Sequence, residues 1–218
     1  MTSPSDHEGG LFPSLALDVT ALTAIRGQRV LFRDLGFRVA GGEVLSLEGP
    51  NGVGKTSLLR MIAGFLAPAA GRIALTSDGG AGTDDAEERG RRIAWLGHQD
   101  AAKPQLTAGE TLRFFADLYG GGGDRDGALA AVGLAPLANL PCQYLSAGQK
   151  KRLALARLML CHRPIWLLDE PLASLDADGK ARAAALTAAH AAEGGIVIAA
   201  THEPLATGCR RLVLGDAA

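Results

Sequence analysis

Gly49-Pro50-Asn51-Gly52-Val53-Gly54-Lys55-Thr56 decides how the rest of the chain is read. The stretch fits the pattern of a glycine, four residues, then Gly-Lys-Ser/Thr. Glycines let the backbone curl until successive N–H groups point at one centre, where phosphate oxygens fit. A helix is expected to start at the end of the loop, and its unpaired N–H groups and dipole favour an anion. Lys55 can reach terminal phosphates, the Thr56 hydroxyl can hold Mg²⁺, and Ser57 is grouped with the loop as a phosphate contact. The flanks agree. Residues 43–48 alternate like a strand, and residues 56–63 are apolar at helical spacing.

The chain has 218 residues, enough for one domain or one domain with a subdomain. Apolar residues make up 47%, so a full core is within reach, but aromatics are only 5%, so Ala, Val, Leu and Ile must build it. A net charge of −1 gives no basic footprint, and no nucleic-acid partner is expected. Cys142, Cys161 and Cys209 form no Cys-x-x-Cys pair, and an odd count suits a reducing compartment. Cys161-His162 lacks the further ligands of a metal site. Residues 1–10 are polar and do not read as a leader, and no apolar run is long enough to cross a bilayer. A cytoplasmic chain is expected, bound to a membrane only through a partner.

In order, residues 1–13 read as a disordered or loosely attached tail and residues 14–216 as one domain. Strands are expected at 15–19, 29–32, 35–39, 43–48, 72–76 and 92–96. The Gly- and Asp-rich run 77–90 reads as a solvated loop. Helical patterns at 107–119, 124–132 and 147–160 interrupt the strands and suggest an inserted helical subdomain at about 98–162. Strands at 165–168, 196–200 and 209–214, with an Ala-rich helix at 177–192, complete an α/β pattern with parallel elements.

Ile165-Trp166-Leu167-Leu168 is continuously apolar and ends in Asp169-Glu170. Such a strand is buried on both faces and delivers its carboxylate to the ligand crevice at the C-terminal edge of the sheet. Asp169 is suited to Mg²⁺, and Glu170 to orienting or deprotonating a water. In Leu145-Ser146-Ala147-Gly148-Gln149, Ser146 and Gln149 fit a helix capping box. Gly148 does not fit it, because glycine weakens a helix by about 1 kcal/mol relative to Ala. Close approach of a group such as a phosphate is one reason for it.

With these pieces in place the chain resembles the ATP-binding-cassette ATPases, from about residue 15 to residue 214. Leu145 to Gln149 looks like their signature, with Ala147 replacing the first glycine. Ala173-Ser174-Leu175-Asp176 resembles their D-loop, and His202 their switch histidine. The resemblance implies a phosphate-loop NTPase: a RecA-like α/β core, an antiparallel β subdomain and an inserted helical subdomain. It implies ATP and Mg²⁺ as ligands, with Lys55, Glu170 and His202 catalytic and Asp176 near the nucleotide. It also implies a dimer of two copies with ATP between them, Ser146, Gly148 and Gln149 of one copy covering the phosphates held by the other. The helical subdomain would dock on an integral membrane permease, placing the chain on the cytoplasmic face of the bacterial inner membrane.

Two positions depart from the family. Where a Q-loop glutamine is expected stand His98 and Gln99, and either can serve at the Mg²⁺ and water. Near Arg26, where an aromatic usually stacks on adenine, no aromatic lies between Leu22 and Leu31. Adenine stacks on the arginine plane there, or base selectivity is weak. Residues 26–32, 96–99, 145–152 and 164–171 together resemble the ATP-binding subunits of cytochrome c maturation systems, also called haem exporters. The alternatives are an exporter of another cargo, a phosphate-loop kinase, and a non-transport cassette. A kinase would not need residues 145–149.

Overall fold

The computed structural model describes residues 11–77, 80–97, 102–120, 122–203, 205 and 208–215. Two long strands come first, β1 (Leu15–Arg26) and β2 (Arg29–Ala40). They are followed by β3 (Val44–Glu48), α1 (Lys55–Ile62), β4 (Ala70–Ser77), β5 (Gly80–Thr83), α2 (Ala86–Arg91) and β6 (Ile93–Leu96). Three helices come next: α3 (Ala108–Leu118), α4 (Arg125–Ala131) and α5 (Ala147–Met159). The chain closes with β7 (Ile165–Asp169), α6 (Ala177–Ala192), β8 (Ile196–Ala200) and β9 (Arg210–Val213).

The strands form two sheets. One is antiparallel, in the order β2-β1-β4-β5; the other is parallel, in the order β6-β7-β8-β3-β9. The parallel sheet separates two hydrophobic cores. Ile165 and Leu167 of β7 and Ile196 and Ile198 of β8 face the core shared with α1 and the antiparallel sheet. Trp166, Leu168, Val197 and Ala199 face the core shared with α3, α4 and α5. Alternate side chains of a strand point to opposite faces, so an unbroken apolar run suits a strand with a core on each side.

Two expectations are corrected. The separate strands expected at 29–32 and 35–39 are one strand, β2. The pairing survives because β1 is irregular at three points and Asp34 takes a left-handed φ of 50°. The expected solvated loop at 77–90 contains β5 and α2 instead. Asp85 caps α2 by accepting the Glu88 N–H at 2.7 Å. Arg89, only 4% exposed, donates to the carbonyls of Ile62 at 2.7 Å, Ile73 at 3.1 Å, Asp84 at 3.1 Å and Met61 at 3.4 Å. A buried cation tied to four carbonyls anchors this segment, so its low apolar content conceals its order.

Residues 1–10 of the expected tail lie outside the described residues. Phe12 is held in place: its N–H donates to the Glu193 carbonyl at 3.1 Å, and its ring lies 5.1 Å from that of His190. No described helix is long and apolar enough to cross a membrane.

Candidate nucleotide site and family

At the end of β3 the chain turns on Gly49, whose φ is 132°. A Cβ there would lie 2.2 Å from the Leu214 carbonyl oxygen, so only glycine fits. Gly54, with φ of 117°, is the N-cap of α1 and offers no side chain to accept the first N–H groups of the helix. Those of Lys55, Thr56 and Ser57 therefore remain for an anion, at the positive end of the helix dipole. Val53 is buried in the core and pins the loop from below. Lys55 is 7% exposed, and its ammonium donates to the carbonyls of Gly49 at 2.6 Å and Pro50 at 3.4 Å. The lysine is thus folded over the loop, aligned for charge at its centre. A cavity of about 490 Å³ lies against the loop, walled by Pro50, Gly52 and Thr56 on one side and by Arg26, Arg29 and Arg60 elsewhere.

Tertiary structure brings distant residues to this loop. The Thr56 hydroxyl donates to the two Asp169 oxygens at 3.0 and 3.1 Å, although the residues are 113 positions apart. Asp169 ends β7 and is 6% exposed. A hydroxyl and a carboxylate in contact are the hard oxygen donors that Mg²⁺ takes alongside phosphate oxygens and water, so this donor set fits the ion. The next residue, Glu170, adopts a left-handed φ of 51°, and its N–H donates to the Ala200 carbonyl of β8 at 2.9 Å. His202 Nε2 lies 3.4 Å from Glu170 Oε1 and 3.0 Å from Asn51 Oδ1. Lys55, Thr56, Asp169, Glu170, His202 and Asn51 therefore form one constellation at the C-terminal edge of the parallel sheet.

Other expected site residues lie elsewhere. Ser146 and Gln149 make the capping box of α5, with bonds of 3.2 and 2.8 Å. No hydrogen bond among the described residues joins 145–149 to the phosphate loop. Gly148 has a reason inside its own chain, because a Cβ there would meet the Ser174 carbonyl oxygen at 2.6 Å. Asp176 caps α6, accepting the Gly179 N–H at 2.8 Å. His98 and Gln99 lie outside the described residues.

The sequence reading missed three features. Arg29 joins Arg26 at the cavity because the two face each other across the β1–β2 hairpin, which the Gly27-Gln28 turn between them signals. Arg60, one turn further along α1 from Thr56, is a third cation there. The Asn51–His202 contact spans 151 positions and has no local signal. A second, larger cleft of about 1350 Å³ runs between the end of α1, α2, β6 and α5. Phe65 is 68% exposed at this cleft and stands edge-on to Trp95 at 5.6 Å.

Residues 32–173 match the ABC transporter family model. The chain is 51% identical over 198 residues to the cytochrome c biogenesis ATP-binding export protein CcmA of Rhodopseudomonas palustris strain BisB5, covering 90% of this chain and 96% of that protein. It is 47% identical over 196 residues to the protein of the same name from Rhizobium meliloti, covering 88% of this chain and 93% of that one. Among solved structures it superposes on an ATP-binding protein assigned to ABC transporters from Pyrococcus furiosus with a TM-score of 0.78. That match has 24% identity, covers 91% of this chain and 97% of the other, and speaks for the fold alone. The chain belongs to the ABC transporter family, as an ATP-binding cassette of the phosphate-loop α/β fold.

Proposed function

We propose that this chain hydrolyses ATP to drive a membrane transporter of the cytochrome c biogenesis type, with haem as the cargo class. The observation that carries the reading is the Thr56–Asp169 pair at 3.0 Å, directly followed by Glu170 beside His202. That arrangement places a metal-suited oxygen pair, a candidate base and a histidine next to one lysine-bearing loop.

In this reading the loop amides and Lys55 bind the β- and γ-phosphates. Thr56 and Asp169 hold Mg²⁺, which when bound neutralises charge on the phosphate oxygens. Glu170 orients the attacking water and accepts its proton. His202 Nε2 steadies the γ-phosphate or the Glu170 carboxylate. Gln99 or His98 completes the metal and water contacts, and Arg26 stands on the base side. Positioning and electrostatics supply most of the rate in such a transfer.

No hydrogen bond among the described residues joins residues 145–149 to the phosphate loop of their own chain, which supports a two-fold dimer. Among the described residues no partner takes the N–H groups of Ala147 and Gly148 at the start of α5, while that of Gln149 donates to the Ser146 hydroxyl. Those amides and the Ser146 hydroxyl would cover the γ-phosphate of a second copy, with Gln149 and Asp176 at the same seam. ATP would favour the closed dimer because it contacts both halves. The cleft, where Trp95 and exposed Phe65 stand among Glu87, Arg91, Arg157 and Arg163, suits an amphipathic segment of an integral membrane permease, which would hold the chain on the cytoplasmic face of the bacterial inner membrane. Residues 98–162 would act as the helical subdomain.

The test is a gene deletion followed by haem staining of c-type cytochromes, with ATP turnover measured on the purified chain. Loss of covalently bound haem together with measurable hydrolysis is expected. Normal c-type cytochromes would remove the cargo, and absent hydrolysis with the permease present would remove the enzyme.

A further inference from the structure

The backbone that carries His202 is pinned on both sides. Thr201, only 1% exposed, donates its N–H to the Leu47 carbonyl of β3 at 3.2 Å. Its hydroxyl donates to the Glu203 carbonyl at 2.7 Å and accepts the Glu203 N–H at 3.2 Å. Glu203 is in turn paired with Lys180 of α6 at 2.6 Å. The His202 ring has no such packing. Its side chain is 52% exposed, so contacts at the ring edge must set its direction against the loss of rotamer freedom. Among the described residues there are two such contacts, and both fall on Nε2: Asn51 Oδ1 at 3.0 Å and Glu170 Oε1 at 3.4 Å. An amide oxygen and a carboxylate oxygen only accept, so Nε2 carries a hydrogen. The shorter bond goes to the loop residue and the longer one to the candidate base.

From this geometry we infer that Asn51 is a positioning residue for ATP hydrolysis and that it acts through His202. The inference rests on the roles proposed above for His202 and Glu170. Asn51 does two things to the ring. It keeps the hydrogen on Nε2, the form that donates to a phosphate oxygen. It also draws that hydrogen toward the phosphate loop and away from Glu170, whose lone pairs then stay available for water. Without the Asn51 oxygen, Glu170 is the remaining acceptor, and the base is engaged by the histidine instead of by water. Asn51 belongs to the loop that grips the phosphates, so the element that binds nucleotide also aims the histidine.

The experiment is a double-mutant cycle read by steady-state ATP turnover, on the full chain purified with its permease. The forms compared are wild type, Asn51→Leu, His202→Ala and the double variant, with Asn51→Ala as a second truncation. Leucine keeps the size of the side chain and removes the acceptor. Both positions are exposed, and a thermal melt checks that each variant is folded. Asn51→Leu and Asn51→Ala should each lower kcat about tenfold and leave KM for ATP within about threefold of wild type. In the His202→Ala background, Asn51→Leu should cost less than about twofold more, because a residue that acts through another has nothing left to lose. Unchanged kcat in both Asn51 variants would overturn the inference. A raised KM with kcat intact would overturn it by making Asn51 a phosphate contact. Additive losses would overturn it by placing the action of Asn51 outside His202. Those three outcomes leave the proposed function standing. Full turnover by His202→Ala would overturn the inference together with the role given to His202. Absent turnover by the wild type would overturn both the inference and the proposed function.

Discussion

The carbonyl oxygen of Ser174 stands 2.6 Å from the point that a Cβ on residue 148 would occupy. Ser174 itself is held at a left-handed φ of 65°. The contact joins the start of α5 to the loop that enters α6, two parts of the chain proposed to share the dimer seam. An added methyl would meet backbone, which cannot rotate away. In an ordinary helix Gly→Ala stabilises by up to about 1 kcal/mol. Here Gly148→Ala is expected to destabilise by about 1 to 3 kcal/mol, the range for overpacking. A chemical-denaturation series decides the sign, and a stabilised variant would show that the loop yields freely.

Glu170→Gln keeps the size of the side chain and removes its basicity. Turnover should fall by about 10²- to 10⁴-fold, the usual contribution of a positioned base. ATP affinity should hold, and the variant should accumulate as a dimer by size exclusion in the presence of ATP. Near-normal turnover would assign the proton to another group.

Lys55→Ala removes the ammonium that lies over the Gly49 carbonyl at 2.6 Å. ATP affinity should drop about tenfold or more, the scale of one lost charge-assisted contact. Titration calorimetry reads this directly, and unchanged affinity would count against the phosphate-loop assignment.

Arg89 is the buried tie between α1, β4 and α2. Arg89→Ala would leave the Ile62 and Ile73 carbonyls buried without their donor. The expected cost is about 3 kcal/mol, or roughly 10 °C in Tm for a domain of this size. A melt within about 2 °C of wild type would mean that the segment 80–91 contributes little to stability.

His190 provides a pH dependence. Its ring stacks on Trp166 at 4.0 Å and its Nε2 lies 3.2 Å from the Pro164 carbonyl. Burial lowers its pKa from 6.5 to about 4, with the Pro164 bond opposing the shift. The unfolded chain therefore binds a proton below pH 6.5 that the folded chain accepts only near pH 4. Stability from this group is fully present above 6.5 and is lost as pH falls toward 4, by up to about 3 kcal/mol. His190→Gln should flatten the fall in denaturation midpoint across that window. An equally steep fall in the variant would place the acid sensitivity elsewhere.

The parts of the site legible in the sequence are those with local causes. The phosphate loop is contiguous, and its glycines, lysine and threonine specify a curl and a helix start within eight residues, Gly49 to Thr56. The capping box of α5 is likewise local, as Ser146 with Gln149. The segment 77–90 was not legible as structure, because its order comes from one arginine bonding to carbonyls on α1 and β4. Hydrophobic periodicity cannot register an anchor that is polar.

By itself the sequence determined the phosphate loop, the apolar strand ending in Asp169-Glu170, and the helix start at Ser146, since each is fixed by residues a few positions apart. Only the tertiary structure decided that Thr56 meets Asp169, that His202 stands between Glu170 and Asn51, and that Arg29 and Arg60 join Arg26 around one cavity. It also decided that Gly148 serves Ser174 of its own chain. Those are contacts between separate strands and helices. They depend on strand order, register and the hairpin turn, which the pattern of residues along a single element does not encode.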